Sequence, residues 1–558
     1  MREVSGGELV ADVLERSGVE VVFMLHGAHV HAVVLGCLER GIRIVAVRHE
    51  AAAGHAAEGV ARAGRRLGVA LVTAGPGMTN VVTSMADAYA DRLPVLYLSG
   101  SVPAFHDETN ALQSGIDQIA LASPITKWAG RAHRTEDIPR LLAQAVRTAL
   151  TPPAGPVFLE IPIDVLNGSV GVPQAPVPER VLLGSKLAPS REDIDTALEL
   201  LGAAARPAIM AGGDVYAAGA SEALRAFARA AGLPVFAQFE ALGALPCNDP
   251  LFAGTFWQLS QLPKELQPDL VLALGVRFGW NAPGFQVAID ADVVHVDVDP
   301  KEFGRPRPAR LAILADPVET LAAFNERVGS TSVGATDRSG WLADVRSAIA
   351  QGIETAWATR AESDHGVHPY RIGQIVCDSA GPDAIVIGDG ALTKHWLDDA
   401  VSTTRQEPGT YFTHGHLGAM GIGLGLAMGA QIANPDRRVV CVTGDGSIGF
   451  TLAEFDTMIR NDLPIVAVVM NNHSFFGLDR FPRLADGTMP TIATDLGAVG
   501  YGEVAKAFGG FGRTVEREED LAPAIDAALA SGLPACIDVL VSEGFGSSFS
   551  MGAFRVMQ

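Results

Sequence analysis

Two short segments far along the chain carry residue types suited to holding a metal ion. Gly444-Asp445-Gly446-Ser447 follows the apolar run 439–442, and Asn471-Asn472 ends a second apolar run, 464–470. The runs 439–443 and 464–470 read as buried strands and 452–460 as the helix between them, one βαβ unit. Such a unit sets Asp445 and Asn472 side by side at the carboxyl edge of a parallel sheet, where ligands bind in open α/β folds. A carboxylate oxygen, an amide oxygen and a loop carbonyl form a hard-oxygen set that suits magnesium held together with a diphosphate. Two other readings fit the same residues. The segment 444–449 also matches a GxGxxG dinucleotide fingerprint, but that site wants an acidic residue about 20 positions further on for the ribose, and here the second strand ends in carboxamides. A Gly-rich strand-to-helix turn with no ligand is the third.

A second constellation lies near the start. Leu25-His26-Gly27-Ala28-His29 ends one strand and Arg48-His49-Glu50 ends the next, followed by the small-residue run 51–57, which reads as a helix able to pack closely. A carboxylate at a strand tip shielded by small apolar residues is a place for an acid or base of raised pKa. A surface glutamate paired with Arg48 is the competing reading.

These residues need parallel sheets to position them. Short β-rich runs (21–25, 42–47, 69–73 and 95–99 among them) alternate with helical ones almost throughout, so the expected class is α/β, with three doubly wound parallel-sheet domains in series. Residues 1–170 form the first, 190–328 the second and 365–541 the third. The Pro-rich stretch 167–189 and the Gly-, Ser- and Thr-rich stretch 329–340 read as connectors, and 542–558 as a tail or lid. A chain of 558 residues with 48% hydrophobic content supplies a core for each. The formal net charge of -21 argues against nucleic acid or an anionic membrane surface as partner and favours a small molecule. Five scattered cysteines without CxxC spacing, and a first segment lacking a signal peptide's apolar run, point to a reduced, cytoplasmic protein.

Taken together, the segments 48–62 (RHEAAAGHAAEGVAR), 72–80 (VTAGPGMTN), 275–279 (GVRFG) and 444–472 resemble, in order, the thiamin diphosphate enzymes of the acetohydroxyacid synthase and pyruvate decarboxylase superfamily. Within it, His26 to His29, 107–118 (DETNALQSGIDQ), 124–128 (PITKW), 389–393 (DGALT) and His414-Gly415 followed by Leu417-Gly418 resemble the benzaldehyde lyases. The first domain would then be pyrimidine-binding, the second central, and the third diphosphate- and magnesium-binding. The resemblance implies that Asp445, Asn472 and the Ser474 carbonyl hold magnesium, with Gly390, Ala391, Leu392, Gly444, Gly446, Ser447 and Phe475 around the cofactor. It implies that the Gly418 carbonyl accepts from the cofactor's amino group and that Met420 forces its bent shape. Glu50 of a neighbouring subunit would favour the imino tautomer, which removes the thiazolium proton. The assembly implied is a homodimer at least, and a homotetramer by family habit.

On the substrate side the resemblance implies His29 and Gln113 as the groups handling carbinol and carbonyl protons, with Leu25, His26, Gly27, Ala28, Ile163, Lys394 and His414 lining the pocket. A neutral histidine suits that task near pH 7. Three positions depart from the benzaldehyde lyase pattern: Lys394 and His416 replace tyrosines and Ile163 replaces a tryptophan. Loss of aromatic walls and gain of a cation weaken the case for aryl groups, and Lys394 is read either as a carboxylate partner or as a rim lysine. The expected function is a carboligase and lyase of 2-hydroxy ketones (acyloins) and aldehydes. The alternative is a decarboxylating 2-keto acid carboligase of acetolactate synthase type. Intact Glu50, Asp445 and Asn472 argue against an inert scaffold.

Overall fold

The computed structural model describes residues 3–106, 109–184, 186–278, 290–305, 308–358, 366–405, 407–475 and 494–541. The tail 542–558, read above as a lid, lies outside the described residues. Among those described, no helix is long and apolar enough to cross a membrane, and all five cysteines are free.

The chain opens with β1 (Glu3–Ser5), then β2 (Val21–Met24), β3 (Arg43–Ala46), β4 (Gly68–Val72), β5 (Val95–Ser101), β6 (Trp128–Arg131) and β7 (Val157–Pro162). β8 (Ser169–Gly171) returns to pair antiparallel with β1. The middle strands are β9 (Pro207–Ala211), β10 (Val235–Ala237), β11 (Phe252–Thr255), β12 (Leu270–Leu274), β13 (Asp292–Asp297) and β14 (Leu311–Leu314). The last are β15 (Ile385–Asp389), β16 (Tyr411–Thr413), β17 (Val439–Gly444), β18 (Val466–Asn471), β19 (Phe511–Val515) and β20 (Ala535–Leu540). They make three six-stranded sheets, ordered β3-β2-β4-β5-β7-β6, β11-β10-β9-β12-β13-β14 and β16-β15-β17-β18-β20-β19. Every pairing within these sheets is parallel, and helices cover both faces, which is why β4, β5, β7 and β12 read as unbroken buried runs.

Counted within each domain, the first and third sheets share one order, 2-1-3-4-6-5, while the central one has the 3-2-1-4-5-6 order of dinucleotide-binding folds. In each sheet the order reverses beside the first strand of that domain, so a crevice opens between β2 and β4, between β9 and β12, and between β15 and β17.

The small-residue helix Glu50–Gly64 packs against a second one, Gly423–Ala433. A Cβ on Gly59 would lie 2.3 Å from the Leu426 carbonyl oxygen, and one on Gly429 would lie 1.9 Å from that of Ala56, so only glycine permits the approach. This contact fuses the first and third domains into one apolar core, in which Ala52, Ala56 and Val60 meet Leu424, Leu426 and Met428.

Candidate functional site

The crevice of the third sheet lies between the ends of β15 and β17. Gly390 (φ 95°) follows β15, and a Cβ there would approach the Ser447 hydroxyl to 2.8 Å. A Cβ on Gly446 would lie 2.6 Å from the Phe475 ring. Glycine is therefore required on both walls, and the backbone of the two loops is brought close enough to cradle a compact anion. The helix Ala391–Thr404 starts at this point. The side chains of Ala391 and Leu392 lie outside the described residues.

Asp445 is 3% exposed and begins a short helix. Its Oδ1 accepts from the Gly446 amide at 2.9 Å and its Oδ2 from the Ser474 amide at 3.0 Å. The same Ser474 amide donates to Asn472 Oδ1 at 3.2 Å, so one N–H gathers the two side-chain oxygens. Burial pushes the Asp445 carboxyl up to about 6 against those amide bonds. A buried carboxylate at the edge of its charged form is relieved by a nearby cation. Asn471 takes a different part: its amide donates to Asp538 on β20 at 2.9 Å and ties the strands together.

The loop between β16 and the Gly423 helix is pinned from beneath. Asp389 is fully buried, with Oδ1 accepting from Gly421 N at 3.1 Å and Oδ2 from Gly423 N at 3.0 Å. Met420, on this loop, is 36% exposed, and Gly418 has φ 72° with open space where a Cβ would sit. His414 is buried, its Nδ1 within 3.1 Å of the Gly415 carbonyl.

The crevice of the first sheet brings together residues from four loops. A Cβ on Gly27 would strike Thr73 Oγ1 at 2.3 Å, and His29 Nδ1 lies 3.0 Å from that hydroxyl. Burial lowers the His29 pKa, favouring the neutral imidazole. A Cβ on Gly100 would lie 2.5 Å from His29 Cβ, one on Gly75 3.1 Å from Gln113 Cβ, and one on Gly77 3.5 Å from Glu50 Oε1. His29, Gln113 and Glu50 thus surround the single turn 73–77. Leu25 and Ala28 flank the same turn-bearing edge, and Ile163 opens the helix Ile163–Asn167 after β7. His26 Nε2 lies 3.2 Å from His31 Nδ1, away from Thr73.

Glu50 is 6% exposed and accepts from Asn80 Nδ2 at 2.9 Å. Arg48 turns instead to Asp456, 3.6 Å away, so the reading of Glu50 as a surface partner of Arg48 does not hold. Lys394 also departs from expectation. Its ammonium, 3% exposed, bonds Asp398 at 2.5 Å and lies over the Phe239 ring, 4.3 Å from its centre. It is an internal cation between the third and central domains, not the rim lysine of one reading, and its partner is Asp398.

Thr73, Asn80 and Asp389 were quoted above only within matching segments. Gln118 supports the same turn: its Oε1 accepts from the Gly75 amide at 3.3 Å and its Nε2 donates to the Gly100 carbonyl at 3.1 Å. Such residues carry no local signal, because their partners lie on other loops.

Comparison with known proteins gives the family of the chain. Residues 4–121 match the family described as "Thiamine pyrophosphate enzyme, N-terminal TPP binding domain", 194–324 its central domain and 389–539 its C-terminal TPP binding domain. Acetolactate synthase large subunit IlvG of Mycobacterium tuberculosis is 32% identical over 543 residues, covering 96% of this chain and 95% of that protein. Acetolactate synthase isozyme 2 large subunit of Escherichia coli is 29% identical over 545 residues, covering 97% and 96%. The chain belongs to the thiamin diphosphate-dependent enzymes.

The third-domain crevice fits that cofactor by its own chemistry. The Gly390 and Gly446 walls leave room that a Cβ would fill, and Asp445 and Asn472 offer converging oxygens for the cation accompanying a diphosphate. The central domain is built differently at its crevice. Arg92 of the first domain contacts Asp297 at 3.1 Å, Glu302 at 3.1 Å, Asp214 at 3.2 Å and Asp299 at 3.4 Å. Carboxylates gathered about an incoming arginine do not suit a second diphosphate there.

Proposed function

We propose that this enzyme is a carboligase and lyase that makes and cleaves the carbon–carbon bond of 2-hydroxy ketones, with an aldehyde released or accepted. The observation carrying this reading is the grouping of His29, Gln113 and Glu50 around the turn 73–77. When bound, thiamin diphosphate supplies a carbon nucleophile for a carbonyl and accepts the electron pair of the broken bond. Asp445, Asn472 and the Ser474 carbonyl would hold magnesium, Gly390, Gly444, Gly446, Ser447 and Phe475 would line the diphosphate, and the Gly418 carbonyl and Met420 would orient the rings.

Glu50 would hydrogen-bond the pyrimidine ring nitrogen of the cofactor held by a neighbouring subunit. Thr73 occupies Nδ1 of His29, so Nε2 is the nitrogen left for the carbinol oxygen. Neutral imidazole there takes the carbinol proton as the bond breaks and returns it in the joining direction. The Gln113 amide donates to the oxygen on which charge develops. Pairing the first domain of one subunit with the third of another would complete two sites per homodimer, with a homotetramer as the fuller assembly.

A second reading, a 2-keto acid donor losing carbon dioxide, is favoured by the acetolactate synthase names of the relatives. Against it stands Lys394, a cation the sequence places in the pocket, which is turned to Asp398.

The test is cleavage of benzoin and acetoin by loaded enzyme and by His29→Ala. Aldehyde release falling about 100-fold in the variant supports the assignment. No aldehyde from either acyloin with the unaltered enzyme overturns it.

A further inference from the structure

The turn that carries Glu50 is held by the other cofactor domain. Glu454, which opens the helix Glu454–Arg460 after β17, is 1% exposed, and its carboxylate accepts from the Arg48 backbone amide at 3.1 Å (Oε1) and 3.2 Å (Oε2). The Thr457 hydroxyl donates to Oε2 at 2.6 Å and fixes the carboxylate's orientation. Burial raises the Glu454 pKa, while the Thr457 hydroxyl and the Arg48 and His49 amides stabilise its charged form. The rest of the helix follows the same strand. Arg460 Nη2 donates to the Ala46 carbonyl at 2.8 Å, and Arg43 Nη2 donates to the Asn461 carbonyl at 2.8 Å.

We propose that Glu454 is a positioning residue for Glu50: the diphosphate-binding domain supplies a buried carboxylate that fixes the turn from which Glu50 projects. A helix begins at Glu50, and the amides of Arg48 and His49 immediately before it have no partner within that helix. A carboxylate offers two acceptors to these donors. An amide in its place would offer one acceptor and turn an N–H toward a backbone N–H. The proposal rests on the reading that Glu50 activates the cofactor.

The experiment measures exchange of the thiazolium proton of bound thiamin diphosphate for deuterium, by quench and NMR. It compares the unaltered enzyme with Glu50→Gln, Glu454→Gln and Thr457→Val, alongside thiamin diphosphate affinity and amide exchange at 48–50. Glu454→Gln is expected to slow thiazolium exchange roughly 10- to 100-fold, since small misplacements of a reacting group cost on that order. Amide exchange at 48–50 should quicken while cofactor affinity is kept. Thr457→Val, which leaves the carboxylate in place, should show a smaller effect of the same sign and serves if Glu454→Gln does not fold. Thiazolium exchange at the unaltered rate in Glu454→Gln, with Glu50→Gln slow, overturns the proposal and leaves the Glu50 reading standing. Unaltered exchange in Glu50→Gln overturns both.

Discussion

The Asp91 carboxylate binds His416 twice, accepting from its backbone amide at 2.9 Å and lying 2.7 Å from its Nδ1. Asp91 ends the helix that follows β4, and His416 lies on the loop after β16. Glu454, which opens the helix after β17, in turn accepts from the Arg48 amide in the turn after β3. Each of two domains of like topology therefore holds a crevice-edge loop of the other.

Removing one clamp should loosen the other domain's loop. Burial works to raise the Asp91 pKa, but Arg62, His416 and Arg277 outweigh it and hold the carboxyl well below its ordinary range. Asp91→Ala leaves Arg62 buried without its closest partner and should cost about 3 to 5 kcal/mol. It should also weaken thiamin diphosphate binding through the loop bearing Gly418 and Met420. Denaturant unfolding and cofactor titration check this, and unchanged stability contradicts it.

Glu50→Gln keeps the side chain's shape and an acceptor for Asn80 but loses the charge. Turnover should fall about 10²- to 10⁴-fold, with little change in melting temperature. A loss of activity matched by a loss of folded protein would point to a structural part instead.

Much of this was legible in the chain. The alternation of buried runs and helices marks the parallel sheets; Asp445 and Asn472 follow strands directly, while Glu50 opens the helix after β3 rather than ending that strand. Lys394 was misread although Asp398 stands at i+4, the spacing at which helical ion pairs form. The two clamps were not legible. Asp91 and His416 are 325 positions apart and Glu454 and Arg48 are 406 apart, and no local pattern encodes a contact made by docking one domain on another.

Because the Lys394 ammonium is internal, Lys394→Met should lower the melting temperature and leave the preference between aromatic and aliphatic acyloins unchanged. A changed preference in a variant of unaltered stability would return this residue to the substrate pocket.

Stability should depend on pH through a carboxyl buried between the first-domain helices. Burial pushes Glu58 up to about 8, against its hydrogen bond with Asp87 and the charge of Arg62. His55 Nδ1 lies 3.1 Å from Glu58 Oε1 and burial lowers that imidazole to about 4, so it stays neutral across the range concerned. A raised carboxyl pKa means the folded state holds a proton that the unfolded chain has released. Its contribution is full below about 4.5 and is lost as pH rises toward about 8. Glu58→Gln, neutral at every pH, should therefore gain in melting temperature relative to the unaltered protein between pH 5 and 8, a constant difference being the contrary result.

The most direct test is a paired assay of enzyme loaded with thiamin diphosphate and magnesium, following aldehyde from benzoin and acetoin beside carbon dioxide from pyruvate. Aldehyde release without comparable carbon dioxide is the predicted result. Carbon dioxide release without acyloin cleavage would contradict the account and assign a 2-keto acid donor.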